Sequence, residues 1–262
     1  MNSIGFIGMG NMALAIASGF IKHGKIDAAK VYGYAPHQDK LRKNAELVGF
    51  VPCQSIHELV SKSEVLVMAC KPYQIEQVLQ DIGEGLKGKT LLSIAAGWDF
   101  ARYSNLLDKS TRIQFIMPNT PAMVGEGVFL FEEENSLMPE ERKDIMEMFA
   151  AIGMVQELPS RLMGIGGAVT GCGPAFIDML MEGFGDAAVK YGIQREMAYR
   201  LIAQMVIGSA KLQMETKKHP GVLKDEVCSP GGTTIRGVEA LEKAGLRAAC
   251  MDAVKAVMEA DI

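Results

Sequence analysis

Two short glycine-rich segments hold the residues whose types and spacing are best suited to chemistry. One runs from Gly8 to Met12 near the start of the chain, and the other runs from Ser229 to Thr234 near its end. Each leads into a helical pattern, and the first turn of a helix carries unpaired backbone N–H groups and the positive end of the helix dipole. Glycines let a bound group approach that backbone closely. The two segments therefore predict two anion-binding sites.

The first segment has the spacing of a dinucleotide-binding turn. It follows the apolar run Ile4–Ile7 and reads Gly-x-Gly-x-x-Ala from Gly8 to Ala13. In such a turn the first glycine permits the bend, the second leaves room for a pyrophosphate, and the small last residue lets the helix pack on the strand. A turn with no ligand is the alternative. The position directly after a strand favours a dinucleotide, which leaves the second site for a small anionic substrate.

The end of the second predicted strand indicates which dinucleotide binds. Tyr34–Gln38 contains no carboxylate that could bind a ribose 2′-hydroxyl, and Asp39 is the first acidic residue after it. Lys40, Arg42 and Lys43 follow closely and would offer positive charge to a 2′-phosphate. The pattern favours NADPH, with NADH as the other option. The alternative is that these cations form a solvated helix face.

Short apolar runs alternate with helical patterns up to Pro159 and then stop. This alternation predicts βαβ units with a parallel sheet and hence an α/β fold, with a Rossmann-like dinucleotide-binding domain over residues 1–159. Residues 160–262 contain only helical patterns, separated by loops with glycine or proline, and predict an all-helical domain. The predicted strands are Ile4–Ile7, Lys30–Tyr34, Val65–Ala69, Thr90–Ile94, Arg112–Met117, Gly127–Phe131 and Met154–Leu158.

The helical domain holds two long patterns that are apolar around nearly their whole circumference, Ala175–Tyr191 and Arg195–Thr216. Helices of this kind need burial on every side, which a domain of about a hundred residues can barely supply alone. We therefore expect an interlocked homodimer through this domain. The alternative is that these helices simply pack on the first domain.

Composition argues against several classes of function. The chain has 27 basic and 31 acidic residues, a formal net charge of −4, and the two signs are mixed along the sequence. Nucleic acid is therefore not an expected partner. No apolar run approaches the roughly 18 residues that suggest a membrane span, and no targeting pattern precedes the first strand. We expect no membrane partner and a cytoplasmic protein.

The cysteines and histidines do not form a metal-binding pattern. The five cysteines are scattered without a C-x-x-C pair, and the four histidines are equally dispersed. We expect no metal and reduced thiols, as in a cytosol. Cys172 and Cys228 lie close to glycine-rich loops, where they are either reactive thiols or small packing residues.

Six segments together resemble the pyrroline-5-carboxylate reductases, the enzymes that complete proline synthesis. They occur in the family's order and spacing across essentially the whole chain, and the last is the most specific. Two positions depart from the usual family pattern, Cys172 in place of a serine and Ile56 in place of an asparagine. The matching segments are Phe6–Ala13, Ala69–Pro72, Ser93–Gly97, Met117–Pro121, Gly171–Ala175 and Ser229–Gly237.

The resemblance implies a reaction, in which hydride passes from NAD(P)H to the C=N carbon of 1-pyrroline-5-carboxylate and gives L-proline. It implies a substrate site at Val227, Gly231, Gly232, Thr233 and Thr234, with the Thr234 hydroxyl near the ring nitrogen as the catalytic group. Family members are dimers through the helical domain, and some assemble further into decamers. The implied cofactor-binding residues are Ile7, Gly8, Met9, Gly10, Asn11, Met12, Ala35, Pro36, Ala69, Cys70, Lys71, Pro72, Ala95, Ala96 and Gly97.

Several alternatives stay open at this point. Thr234 also suits a helix cap, and Asn119, between two prolines, either contributes to the substrate site or only fixes a rigid turn. A hydroxyacid dehydrogenase of related architecture would carry a lysine shortly after the glycine turn, and Gly171–Ile177 contains none. A protein that senses NADPH without turnover is the non-enzymatic alternative.

Overall fold

The computed structural model describes residues 3–23 and 26–260. The chain forms two compact units, of which the first ends at Pro174 and the second spans Ala175–Ala260. All the described strands belong to the first unit, and the described part of the second is helical. This confirms the predicted α/β fold with a helical second part.

The first unit is built on one eight-stranded sheet with strand order β3-β2-β1-β4-β5-β6-β7-β8. All neighbours pair in parallel except β6 and β7, so β7 and β8 run opposite to the other six strands. The prediction of a parallel sheet is wrong at this pair, because the nine residues between Met117 and Gly127 are too few for a parallel crossover. The missed strand, β3, has only two residues, too few to show a pattern. The strands are β1 Ile4–Ile7, β2 Val31–Tyr34, β3 Val51–Pro52, β4 Val65–Met68, β5 Thr90–Ser93, β6 Arg112–Met117, β7 Gly127–Asn135 and β8 Gly153–Leu158.

Helices cover both faces of this sheet. Alternate side chains of a strand point to opposite faces, and in β4 Val65 and Val67 join one apolar cluster while Leu66 and Met68 join another. A core buried on both faces explains why the central strands read as continuous apolar runs. The helices of this unit are α1 Asn11–Lys22, α2 Gln38–Val48, α3 Ile56–Lys62, α4 Ile75–Ile82, α5 Phe100–Ser104, α6 Pro139–Ala150 and α7 Ser160–Thr170.

Helix α7 lies after the last strand but packs on the sheet. A side chain at Gly166 would meet Leu130 at 2.6 Å, and one at Gly167 would meet Met117 at 3.1 Å. The glycines therefore let the helix approach β6 and β7 closely. The compact units divide after α7, at Pro174. A domain boundary at residue 160, which separates cofactor binding from substrate binding and dimerisation, stays a prediction.

The second unit is formed by helices with few buried side chains. Among its described residues, only Gly185 and Ala198 are buried. Helix α9 has the bounds that the sequence predicts, and α8 differs from its prediction by a residue or two at each end. The helices are α8 Gly173–Lys190, α9 Arg195–Thr216, α10 Pro220–Val227, α11 Thr233–Lys243 and α12 Leu246–Met258.

The helical stretch 160–190 corrects one expectation from the sequence. By length and composition alone it is apolar enough to cross a membrane, with a mean hydropathy of 1.2 over its best window. It joins α7, which has 11 residues, and α8, which has 18, and Gly171 and Cys172 lie between them. Core helices of soluble proteins pass the same test, so the stretch is weak evidence for a membrane.

Candidate functional site

The turn between β1 and α1 lies where the carboxyl ends of three strands meet. Gly8 has a φ of +96° and donates its N–H to the Tyr34 carbonyl of β2 at 2.8 Å. A side chain at Gly8 would lie 2.8 Å from the backbone nitrogen of Cys70, which follows β4. Both the dihedral angle and the contact exclude any residue but glycine. Gly8 is therefore required by the fold of the turn.

The helix that follows offers free backbone donors. Its N-cap residue is Gly10, which makes no side-chain cap, and the first N–H bonded within the helix is that of Leu14, to the Gly10 carbonyl at 2.9 Å. The N–H groups of the first turn thus have no acceptor in the helix. A side chain at Gly10 would meet no atom within 4 Å, and its φ of −79° is ordinary. The space over this turn is open.

A cleft of about 700 Å³ extends from this turn across the carboxyl edge of the sheet. This edge is where open α/β sheets bind their ligands. The cleft is lined by every predicted cofactor-binding residue except Gly97. Its lining also includes Ala13 of the predicted turn and Lys40, which was expected to offer charge to a 2′-phosphate. The other lining residues were not assigned from the sequence, namely Tyr34, His37, Leu41, Asn44, Gln74, Val78, Ile94 and Thr120.

Of the three cations predicted after the second strand, only Lys40 lies at the cleft. Lys40 lines it together with His37 and Asn44, while Arg42 and Lys43 are exposed and do not line it. Positions 40 and 44 are one helical turn apart and share a face of α2. That spacing was readable in the sequence and would have singled out Lys40.

The thiol in the cleft is poorly suited to act as a nucleophile. Burial raises the pKa of Cys70 to about 11, and its Sγ lies 3.6 Å from the Met68 Sδ. A thiol with this pKa is protonated at neutral pH and unreactive. Burial likewise raises the pKa of Cys53 to about 11.

The side-chain amide of Asn119 forms hydrogen bonds with backbone groups of the first unit. It is 5% exposed, its Nδ2 donates to the Thr170 carbonyl at 3.0 Å, and its Oδ1 accepts from the Val128 N–H at 2.8 Å. These bonds tie the end of β6 to β7 and to the last turn of α7. They support a turn-fixing role, and the neighbouring Thr120 lines the cleft instead. A contact between Asn119 and the substrate stays a prediction.

The second glycine-rich segment ends at another helix start without a side-chain cap. Gly231 has a φ of +70°, Gly232 donates its N–H to the Ser229 carbonyl at 3.0 Å, and Gly232 is the N-cap of α11. Thr233 and Thr234 are exposed in the first turn of this helix. Because Gly232 holds the capping position, the alternative that Thr234 is the cap is wrong. Its hydroxyl is left available for a ligand.

Val227 is the last residue of α10 and is 67% exposed. It lies in the second unit with the rest of the predicted substrate residues except Asn119, which belongs to the first. In the parts of the chain that the structure describes, no three His, Cys, Asp or Glu side chains are grouped so as to hold a metal ion.

Known proteins are similar in sequence to this chain over nearly its whole length. It is 40% identical over 260 residues to the pyrroline-5-carboxylate reductase of Treponema pallidum, with 98% of each chain covered. It is 37% identical over 257 residues to the enzyme of the same name from Escherichia coli, covering 98% of this chain and 96% of that protein. The chain belongs to the pyrroline-5-carboxylate reductase family.

Two family models match separate parts of the chain, and a solved structure of this reductase family matches nearly all of it. A model described as pyrroline-5-carboxylate reductase dimerisation matches residues 160–261, and one described as NADP oxidoreductase, coenzyme F420-dependent, matches residues 3–97. A crystal structure of a Plasmodium falciparum pyrroline carboxylate reductase with NADP bound matches with a TM-score of 0.90 and 31% identity. It covers 98% of this chain and 95% of that one. The hydroxyacid dehydrogenase alternative is accordingly not favoured.

Proposed function

We propose that the protein reduces the C=N bond of 1-pyrroline-5-carboxylate to L-proline with NAD(P)H, the last step of proline biosynthesis. The observation that carries this proposal is the identity to reductases of that name over nearly the whole chain. The local geometry agrees with it, since each glycine-rich segment leads into a helix whose N-terminus has no side-chain cap. One such terminus suits a pyrophosphate and the other a carboxylate.

The residues of the cleft fit a bound dinucleotide. Gly10 leaves the first turn of α1 open to a pyrophosphate, and Ala95 and Ala96 offer a small-residue wall at the end of β5. When bound, the reduced cofactor supplies a hydride from its nicotinamide C4. We assign the fifteen cofactor-binding residues predicted above to this role, together with Lys40 of the three predicted cations and with Thr120 added from the structure.

Lys40 supports a preference for NADPH over NADH. It lines the cleft next to His37 at the end of β2, where a Rossmann-like fold holds the adenosine ribose. Among the residues that the structure describes, no acidic side chain lines this cleft, so none of them repels a 2′-phosphate there. The ratio of kcat/KM for NADPH to that for NADH measures the preference directly.

The substrate chemistry requires little acid catalysis from the chain. A protonated imine already carries positive charge and accepts hydride readily, so a hydroxyl that relays one proton from water to the ring nitrogen is sufficient. We assign that role to Thr234, and the backbone N–H groups at the start of α11 to the substrate carboxylate. The remaining requirement is placement of the two reacting carbons about 3–3.5 Å apart.

The same proposal includes a homodimer formed through the second unit and a cytoplasmic location. Large apolar side chains are exposed along its helices, among them Met179, Leu201, Met205 and Leu212. A second copy that covers them would also account for the apolar stretch 160–190 without a membrane. Assembly of such dimers into a larger oligomer, such as a decamer, is compatible with this arrangement.

A steady-state assay tests the function. We expect the purified protein to oxidise NADPH when 1-pyrroline-5-carboxylate is added, and to form proline in equal amount. Tight binding of NADPH without turnover would favour the sensor alternative and overturn the proposal.

Variants at one position test the proton-transfer role in the same assay. We expect Thr234→Ala to lower kcat/KM about 100-fold, in the range of acid–base contributions, and Thr234→Ser to recover most of that loss because it keeps the hydroxyl. Thr216→Ala is a matched control, since that hydroxyl is bonded to the Leu212 carbonyl at 2.7 Å and has no assigned role. Wild-type kinetics for Thr234→Ala would remove this residue from the site.

A further inference from the structure

The buried hydroxyl of Ser93 forms hydrogen bonds with the loop that follows β5. The loop runs from Ile94 to Asp99, and Ser93 at the end of β5 is fully buried under it. Ser93 Oγ donates to the Trp98 carbonyl at 3.2 Å and accepts from the Ala95 N–H at 3.4 Å. A single hydroxyl therefore contacts both ends of the segment that contains Ala95 and Ala96, which line the cleft.

A second buried hydroxyl completes the hydrogen bonding of the first. The Tyr103 hydroxyl lies 3.2 Å from Ser93 Oγ, and the Tyr103 side chain is fully buried. Burial raises the pKa of Tyr103, so its phenol keeps its proton at any physiological pH. Since Ser93 has only one proton and gives it to the Trp98 carbonyl, the Tyr103 phenol is the donor between the two hydroxyls.

The side chain of Arg102 also contacts this loop. The Arg102 guanidinium stacks 3.9 Å from the centre of the Trp98 ring and donates to the Gly97 carbonyl at 3.4 Å. Its other end pairs with Glu76 of α4 at 3.2 Å. The rings of Trp98 and Tyr103 are 5.0 Å apart. The loop is therefore fixed by contacts from β5 and α5, and Glu76 of α4 holds the Arg102 side chain.

The polar pair lies in an otherwise apolar cluster and does not line the cleft. Tyr103 belongs to that cluster together with Leu91, Ile75 and Met68. Placing two hydroxyls among such side chains is costly unless they are fully bonded. An alanine and a phenylalanine would fill the same space without that cost. The two hydroxyls are therefore explained by their hydrogen bonds, which hold the loop in place.

We propose that Ser93 and Tyr103 are positioning residues for cofactor binding: they hold Ala95 and Ala96 at the distance from the sheet that the dinucleotide requires. This inference rests on the proposed function of the cleft. It adds two residues that touch neither cofactor nor substrate and that act through the backbone of the loop.

The test measures NADPH binding to wild type, Tyr103→Phe and Ser93→Ala. Trp98 is the single tryptophan of the chain, so its fluorescence reports on this loop directly during the titration. We expect each variant to raise the Kd for NADPH about 5- to 10-fold, the size of effect that follows from losing one buried hydrogen bond. We also expect KM for NADPH to rise in parallel, with kcat at saturating NADPH changed less than about twofold.

Thr111→Val is the matched control, because it removes another buried hydroxyl from the first unit. Thr111 is 2% exposed and donates to the Leu86 carbonyl at 3.1 Å, next to the amino end of β6 and outside the cleft. We expect it to lower the melting temperature as the other variants do and to leave the Kd for NADPH unchanged. Wild-type Kd values for a folded Tyr103→Phe, which loses one oxygen atom only, would overturn the proposal.

These outcomes separate the inference from the proposed function. If wild type binds NADPH and reduces the imine while Tyr103→Phe and Ser93→Ala behave like Thr111→Val, only the positioning role fails. If wild type itself does not bind NADPH, the proposed function fails first.

Discussion

Gly8 and Gly10 belong to one motif, but the structure requires a glycine at only one of them. At Gly8 a left-handed φ and a backbone atom 2.8 Å from an added Cβ leave no room for a side chain. At Gly10 the φ is ordinary and no atom lies within 4 Å of an added Cβ. The fold therefore requires the first glycine and does not require the second, which the proposed function assigns to the approach of a pyrophosphate.

We therefore predict different phenotypes for alanine at these two positions. Gly8→Ala should lower the free energy of unfolding by about 2–4 kcal/mol, from backbone strain together with overpacking. Gly10→Ala should leave it within about 0.5 kcal/mol of wild type and raise the Kd for NADPH at least about tenfold. Urea unfolding and an NADPH titration of both variants measure these quantities. Wild-type affinity in Gly10→Ala would argue against a pyrophosphate at this turn.

At the scale of elements, β7 contributes a buried carboxylate to the packing between the sheet and α5. Glu132 is 1% exposed, and its Oε2 accepts from the Phe100 N–H at the start of α5 at 2.9 Å. Burial raises the pKa of Glu132, and the Phe100 hydrogen bond offsets this only in part. The strand thus carries a group whose ionisation opposes folding.

This arrangement predicts how stability depends on pH. Because the pKa of Glu132 is higher in the folded than in the unfolded chain, its ionisation makes the folded state less stable as pH rises through that interval. Glu132→Gln keeps an acceptor oxygen for Phe100 and removes the titration. We expect the free energy of unfolding of this variant, relative to wild type, to increase with pH from about 4.3 upwards until the raised pKa is passed. Urea unfolding at a series of pH values measures it.

Glu141 provides a control, because its pKa is shifted in the direction opposite to that of Glu132. Although burial alone would raise the pKa of Glu141, hydrogen bonds from Arg112 and Thr90 bring it below its usual value. Its ionised form therefore stabilises the fold above the unfolded pKa, and that contribution is lost as pH falls through the folded pKa. Glu141→Gln should lose stability at neutral pH and approach wild type in acid. The same pH trend in both variants would show that the burial of Glu132 is not the cause.

At the scale of the whole molecule, the second unit presents an apolar stripe without a cover in the single chain. On α9 the side chains of Met197, Leu201, Met205 and Leu212 recur on one helix face, and each is about half exposed. Apolar side chains repeated along one face predict a partner surface. A second copy of the chain is the partner that the family model for dimerisation supports.

We predict that charge on this stripe disrupts the dimer. Leu201→Glu combined with Met205→Glu should convert a dimer at micromolar concentration into a monomer, because burying two carboxylates in an apolar interface is strongly unfavourable. Lys109→Glu, an exposed charge reversal in the first unit, should leave the dimer intact. Sedimentation equilibrium measures the mass of each. A wild-type dimer that also persists in the double variant would move the interface away from this stripe.

The sequence by itself determined the elements and the chemistry of the turns. Strands β1 and β6 and helix α9 have the predicted bounds, because hydrophobic periodicity is a local property. Glycine spacing likewise located both helix N-termini.

Only the tertiary structure decided which side chains meet. It reversed β7 and β8 relative to the other strands, brought Lys40 to the cleft instead of its neighbours, and engaged the Asn119 amide in internal bonds. It also joined Ser93 and Tyr103 under the cofactor loop. The physical reason is that strand pairing and the hydrogen bonds of buried groups depend on residues distant in the chain, which no local pattern specifies.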